Sequence, residues 1–328
     1  MKRKLSQVTK CIMPAALVLM LVPAMAFGQW NSPANLGPGV NTAADEMGLC
    51  DFGGYLYFTS SRPGGAGGYD MYRAENVGGE WVSPVNLALL NTAANERAPT
   101  IQCIDGNPRM IYASDFNGTY DLWGSENTEA CPDAPVGSWD TPATEVATGD
   151  TDTMPWMSAD GLTLLFGSDQ AGGEGGFDIW MSTRALPSDP WGTPTNLGPV
   201  INTVDDERGP SISPDGQRLY FASNRPGGLG GADIYVSTND GARGWLPPVN
   251  LTDINSDADD TCPTESEDGS QLLFGSTRTG GYGAKDLYSA TRPDAVPTVS
   301  EWGLIIMTLL LLTAGTIVFA RRRRPAAA

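Results

Sequence analysis

Ser213-Pro214-Asp215-Gly216-Gln217-Arg218-Leu219-Tyr220-Phe221-Ala222-Ser223-Asn224-Arg225, followed by Asp233-Ile234-Tyr235, is the stretch whose reading decides the fold. A Pro-Asp-Gly turn leads into an apolar run that ends in an aromatic residue. A glycine-rich connection over 227–231 then leads into a second run. Two short runs rich in β-branched and aromatic residues, bounded by turn residues, read as neighbouring strands. The pattern recurs. Apolar runs at 56–58, 110–112, 164–166 and 272–274 also end in an aromatic, and Ser60, Ser114, Ser168 and Ser276 follow at the register of Ser223. Asp70-Met71-Tyr72, Asp121-Leu122-Trp123, Asp178-Ile179-Trp180 and Asp286-Leu287-Tyr288 match Asp233-Ile234-Tyr235.

Working outward, Trp30, Trp81, Trp139, Trp191 and Trp245 stand 51, 58, 52 and 54 residues apart. Pro33, Pro84, Pro142, Pro194 and Pro248 follow them, and an acid precedes each unit's first apolar segment: Glu46, Glu96, Asp152, Glu207, Asp260. A unit of about 50 residues with four short strands is a propeller blade. The reading is all-β: a five-bladed β-propeller of four-stranded blades over 29–291, with repeats near 30, 81, 139, 191 and 245. Strand A follows each acid, B is the apolar run, C the Asp-aliphatic-aromatic segment, and D lies at Trp-x-x-Pro. The chain then begins with a lone strand D that completes the last blade and hides its edge. The repeat resembles the TolB-type, WD-repeat-like propeller motif, which implies fold far more than function.

The 328 residues contain no histidine, which removes imidazole bases, Ser-His-Asp triads and His-ligated metals. Lys and Arg total 20 against 38 Asp and Glu, a net charge of −18. Lys2, Arg3, Lys4, Lys10 and Arg321 to Arg324 take 8 of the bases, so residues 11–320 carry 12 − 38 = −26. An acidic body lacks the basic footprint that nucleic acid requires.

The termini read as membrane signals. Residues 1–26 have a basic start, an apolar stretch and Ala24-Met25-Ala26 as a cleavage site, the pattern of an export signal. Residues 302–320 hold no charge and precede a basic tail at 321–328, as a transmembrane helix with its arginines inside requires. Residues 292–301 are linker and motif: Val296-Pro297-Thr298-Val299-Ser300-Glu301-Trp302. Pro297, Thr298, Glu301 and Trp302 with the helix and arginines resemble the IPTL-CTERM sorting signal, with Val296 and Val299 where Ile and Leu are usual. The resemblance implies an exosortase-like sorting enzyme as partner and a place at the cell envelope, membrane-anchored at least transiently.

The connections D–A and B–C share one face of a propeller. Glu46, Glu96, Asp152, Glu207 and Asp260 are expected to ring the channel mouth there, beside Arg62, Arg225 and Arg278 of the B–C loops, and this is the expected binding face. The alternative is that each acid caps backbone N–H groups or pairs with a neighbouring blade's arginine. The repeated Asp and Ser are expected to tie the B–C loops. Ca²⁺ is conceivable at the acid ring or at Asp253, Asp257, Asp259 and Asp260, through oxygen ligands. Cys103 and Cys131 fall on the opposite face as a disulfide candidate. The functional expectation is a non-catalytic, surface-sorted scaffold that binds a protein or other ligand. A glycan-binding propeller is the alternative, and a carboxylate-dependent glycoside hydrolase the second, because that chemistry needs two carboxyls with divided roles.

Overall fold

The computed structural model describes residues 30–131 and 136–293. The expected export signal at 1–26, the sorting residues Pro297, Thr298, Glu301 and Trp302, the helix at 302–320 and the tail at 321–328 lie outside the described residues.

Five antiparallel sheets of four strands each form a closed ring. The first complete blade holds β2 (Glu46–Phe52), β3 (Tyr55–Ser60), β4 (Asp70–Val77) and β5 (Glu80–Asn86), after a lone β1 (Ala34–Asn35). The second holds β6 (Glu96–Ile104), β7 (Asn107–Ser114), β8 (Asp121–Glu126) and β9 (Ala143–Val146). The third holds β10 (Asp152–Met157), β11 (Thr163–Ser168), β12 (Asp178–Thr183) and β13 (Thr195–Asn196). The fourth holds β14 (Glu207–Ile212), β15 (Arg218–Ser223), β16 (Asp233–Thr238) and β17 (Val249–Asn250). The fifth is β18 (Asp260–Glu265), β19 (Gln271–Ser276), β20 (Asp286–Thr291) and β1. Ala34 pairs with Ser289 and Asn35 with Tyr288, so the first strand closes the last blade.

β5 covers Trp81 to Pro84 as expected, while the other four outer strands sit slightly downstream of their expected place. In three blades they cover only the dipeptide ending in Asn (Ala34–Asn35, Thr195–Asn196, Val249–Asn250), while Trp139 and Trp245 make isolated bridges to Asn127 and Asn239. The Pro after each Trp has no N–H to give a ladder. The Asn caps the following turn instead: Asn35 and Asn196 accept from the N–H of Gly37 and Gly198 at 2.8 and 2.7 Å, starting the turn toward the next blade.

Blades pack through alternating apolar faces. Leu165 and Ile179 of the third blade meet Leu219, Phe221 and Tyr235 of the fourth in one buried cluster. Trp30 and Trp139 are buried, while Trp81, Trp191 and Trp245 are half-buried at cluster edges. Asn41, Asn91, Asn202 and Asn255 fasten the D–A turns to the blade the chain has just left, each holding both polar groups of a strand-C residue. Asn41, for example, accepts from Leu287 N–H at 2.8 Å and donates to Leu287 O at 2.9 Å. Asn91 does the same with Met71, Asn202 with Ile179 and Asn255 with Ile234.

Every inner strand is bulged. The ladder slips register just past the acid in β2, β6, β10, β14 and β18. The bulge residues Gly48, Ala98, Met154, Gly209 and Cys262 all have positive φ, between 49° and 60°. Pro99, Pro155, Pro210 and Pro263 follow in four of the strands, a position where a bulge needs no ladder donor.

Candidate functional site

The five acids open the inner strands, and all five are fully buried at 0 % exposure. Each folds back on its own D–A turn. Glu46 accepts Thr42 N–H and Thr42 Oγ1 at 2.8 Å each, and Ser60 Oγ at 2.7 Å. Glu207 accepts Thr203 N–H at 2.6 Å, Thr203 Oγ1 at 2.8 Å and Ser223 Oγ at 2.7 Å. Thr92 and Ser114 serve Glu96, Thr148 serves Asp152 and Ser256 serves Asp260.

Arg62, Arg225 and Arg278 complete three of these nests, at 3.3, 2.9 and 2.6 Å from Glu46, Glu207 and Asp260. Each arginine comes from the acid's own blade, which corrects the expectation of a neighbour's. Strands A and B are hairpin partners, with Glu46 opposite Ser60 and Glu207 opposite Ser223, so the start of the B–C loop passes directly over the acid. Phe116 and Gln170 replace the arginine in the second and third blades. There burial pushes the carboxyls of Glu96 and Asp152 above their ordinary range, against the pull of their hydroxyl and N–H donors.

The repeated aspartates clamp the B–C loops. Asp70 accepts the N–H groups of Ala66 and Gly67 at 2.9 and 3.3 Å, and Asp286 those of Tyr282 and Gly283 at 2.6 and 3.1 Å. Asp178 and Asp233 repeat this contact. A ligand on this upper face therefore meets loops that these side chains hold from beneath.

The bulge residues close the axis at mid-depth. Met154 Sδ lies 3.6 Å from Cys262 Sγ, and a Cβ on Gly48 would stand 2.8 Å from Ala98 Cα. A cavity of only about 30 Å³ remains among them. The axis is thus divided into two bowls. The upper one, about 230 Å³, is lined by Met154, Asp206, Arg208, Asn224, Asp259, Thr261 and Lys285 among others. The lower one, about 520 Å³, is lined by Asp51, Gln102, Trp156, Asp160, Ile212, Glu265 and Glu267 among others.

The lower bowl carries the carboxylates that the sequence reading passed over. Burial, and then the charges of Glu267 and Asp268, push Asp51 up to about 6. Asp160 is held low by Ser158 and the Leu162 N–H. Glu265 is enclosed and paired with Arg218 at 3.2 Å and Arg292 at 2.8 Å. Asp51 is thus a carboxyl raised well above the ordinary carboxylate range, and it lines the lower bowl together with Trp156.

Residues 294–324 match the IPTL-CTERM motif. The expected sorting residues Pro297, Thr298, Glu301 and Trp302 fall inside that span. Among solved structures, the GH62 alpha-L-arabinofuranosidase catalytic domain of Coprinopsis cinerea is similar at a TM-score of 0.56 and 12 % identity, over 82 % of this chain and 98 % of that one. An alpha-L-arabinofuranosidase of Podospora anserina is similar at 0.54 and 14 %, over 81 % and 97 %. A putative TolB of Agrobacterium tumefaciens aligns at 0.47 and 16 %, over 81 % and 92 %. At such identities the likeness is one of fold. No curated protein matches the chain.

Cys103 and Cys131 form a disulfide on the lower face, and Cys50 and Cys262 are free thiols. Burial raises the Cys50 thiol. The residues named for Ca²⁺ do not fit it. Among the described residues no group of three or more Cys, Asp or Glu is placed to hold a metal. N–H, O–H and guanidinium donors fill the ring acids' lone pairs, and in the 253–260 segment Asp259 accepts Ala232 N–H at 3.0 Å while Asp260 is paired with Arg278. The mouth residues themselves went unread because none of their types is common to all five copies. A comparison of the five copies for the registers where they differ would have exposed them.

Proposed function

We propose that this chain is an exported, ligand-binding propeller held at the cell envelope through its C-terminal segment, where an exosortase-like enzyme reads the IPTL-CTERM motif. One observation carries the binding reading: every ring carboxylate is enclosed and spent on its own blade, while Lys285 in the upper bowl and Asp51 and Trp156 in the lower stand at registers that differ between copies. Residues common to all five copies build the scaffold, and varied registers contribute to its mouths. Glycan is the ligand class that the lower bowl favours, because Trp156 offers an aromatic wall beside Gln102, Asp51 and Asp160.

The test is a glycan array with the full chain, repeated with Trp156→Ala. Signals that vanish in the variant support the reading. An array silent for the wild type, or unchanged by the variant, removes the lower bowl as a glycan site. Export is checked separately, by surface labelling of intact cells carrying the wild type or Pro297→Ala/Thr298→Ala.

A second reading, glycoside hydrolysis, is favoured by Asp51, whose raised carboxyl suits a general acid. Release of reducing sugar from aryl glycosides that stops in Asp51→Asn supports it. Activity that survives Asp51→Asn and Glu267→Gln together rules out this site.

A further inference from the structure

The upper bowl carries a charge pattern that the acidic body does not explain. Residues 11–320 hold 12 cations against 38 acids. Eight of those cations are ion-paired: Arg62, Arg109, Arg208, Arg218, Arg225, Arg243, Arg278 and Arg292. Arg73 stacks on Tyr55, and Arg184 donates to the carbonyls of Gly161 and Asp189. Arg184, Arg97 and Lys285 have no carboxylate within 4.0 Å among the described residues, and two of these three, Arg97 and Lys285, belong to the upper mouth. In so acidic a protein, unpaired cations at one site point to a ligand that supplies the missing charge.

The geometry sharpens this. The mouth is a ring of five stations, each pairing the residue after a ring acid with the residue before strand C of the preceding blade. The stations are Met47 with Lys285, Arg97 with Tyr69, Thr153 with Tyr120, Arg208 with Phe177, and Thr261 with Ala232. The Arg97 guanidinium lies between the rings of Tyr69 and Tyr120, at 4.0 and 5.1 Å, and that of Arg208 lies 3.7 Å over Phe177. Face-on stacking fixes each guanidinium plane and leaves its edge for an acceptor. Arg97 Nε, Arg208 Nε and Thr261 Oγ1 are buried and without a hydrogen-bond partner. Lys285 lines the bowl with Arg208 and Thr261, and its station adjoins that of Arg97 around the first blade.

The acids on this rim already have donors. Asp45 accepts Tyr69 Oη at 3.2 Å, Asp206 the Phe177 N–H at 2.9 Å, and Asp259 the Ala232 N–H at 3.0 Å. Their charges disfavour a dianion in the bowl. Its volume of about 230 Å³ is below that of a drug-sized site and suits a small ligand or one group of a larger one.

We propose that the upper bowl binds a small monocarboxylate, held by Lys285 and Arg208 with Arg97 adding its field from the adjoining station. This rests on the reading of the chain as a binding protein. The Trp156→Ala array probes the other bowl, so the two can fail separately.

The test is calorimetric titration of the full chain at constant ionic strength with acetate, glucuronate, glucose and inorganic phosphate. Both carboxylates are expected to bind, phosphate more weakly, and glucose, the neutral counterpart of glucuronate, not at this site. Lys285→Gln leaves no internal partner stranded and should fold normally while weakening carboxylate binding about tenfold or more. Arg97→Gln should weaken it less, and Arg243→Gln, on an exposed pair remote from the bowl, not at all. The proposal is overturned if neither carboxylate binds, if phosphate binds tighter, if glucose and glucuronate bind alike, or if Lys285→Gln binds as the wild type does.

Discussion

Two amide substitutions at one repeat register should give opposite results. Glu207 and Glu96 are both fully buried and accept the same Thr N–H, Thr hydroxyl and Ser hydroxyl. Only Glu207 faces an arginine, Arg225, whose side chain is 15 % exposed. Glu207→Gln strands that guanidinium, leaving it Ile201 O and Ser223 Oγ as acceptors but no counter-charge. Breaking a fully buried pair costs about 3–5 kcal/mol, and partial screening of Arg225 lowers this to about 2–4 kcal/mol. For a domain of this size that is a Tm loss of roughly 4–15 °C. In Glu96→Gln the amide oxygen can accept Thr92 N–H while its NH₂ donates to the hydroxyls, which rotate to receive it. No cation is stranded and an unfavourable buried charge disappears, so Tm should stay within about 4 °C or rise. The assay is calorimetric melting of both full-length variants at pH 7 and low salt. Adding Arg225→Gln to Glu207→Gln should return part of the loss. Equal losses in the two single variants would refute the claim that the arginine offsets the cost of the buried carboxylate.

The raised carboxyls of Glu96 and Asp152 make the folded state the better proton binder. Their stabilising contribution is therefore present below the ordinary carboxylate range, from about pH 4, and is lost as pH rises through the raised folded values. Melts across pH 4–7 should show a fall that flattens in Glu96→Gln/Asp152→Asn, and an unchanged slope contradicts this. Reducing the Cys103–Cys131 disulfide, with a sequence separation of 28, should cost about 3–4 kcal/mol by the loop-entropy relation, visible as a lower Tm in dithiothreitol. Asp233→Ala leaves the N–H groups of Leu229 and Gly230 without their acceptor, so a loss of about 1–3 kcal/mol and faster hydrogen exchange over 226–232 are expected. The Cys50 thiol, half-buried in the wall of the lower bowl, should react more slowly with aromatic disulfide reagents at pH 8 in the folded protein than in the unfolded one, because desolvation and the Asp51 charge hold it protonated.

What could be read from the sequence was what repeats. Trp30 to Trp245 set the period, the aromatic-ended runs marked strand B, and the phase of the first copy foretold that a lone strand at Trp30 would close the last blade, which Ala34–Asn35 does a few residues further on. The ring acids were visible for the same reason, but repetition did not say which way they point, and they point inward. The origin of Arg62, Arg225 and Arg278 followed from hairpin register, which fixes what lies over the acid and which spacing alone leaves open. Asn41, Asn91, Asn202 and Asn255 repeat too, yet their partners are backbone groups of strand C, which spacing alone does not name, and the Asn41–Leu287 contact exists only once the ring closes.

The axis was illegible for a different reason. Positive φ at Gly48 and Gly209 accords with glycine's freedom, but Ala98, Met154 and Cys262 adopt it against their own preference, imposed by five inner strands converging on one line. That convergence is what divides the channel into two bowls. It also separates the two kinds of information in the chain. A residue that serves its blade must recur in every blade, because each blade meets the same neighbours. A residue that serves the whole ring meets the others only at the axis, and nothing there requires five copies to agree. Lys285, Asp51 and Trp156 occupy such positions, and each is unlike its counterparts in the other blades, while Arg97 recurs only as Arg208. Disagreement among the repeats is therefore the internal signal of a site in this fold, and it singles out the bowls over the ring of acids beneath the upper face.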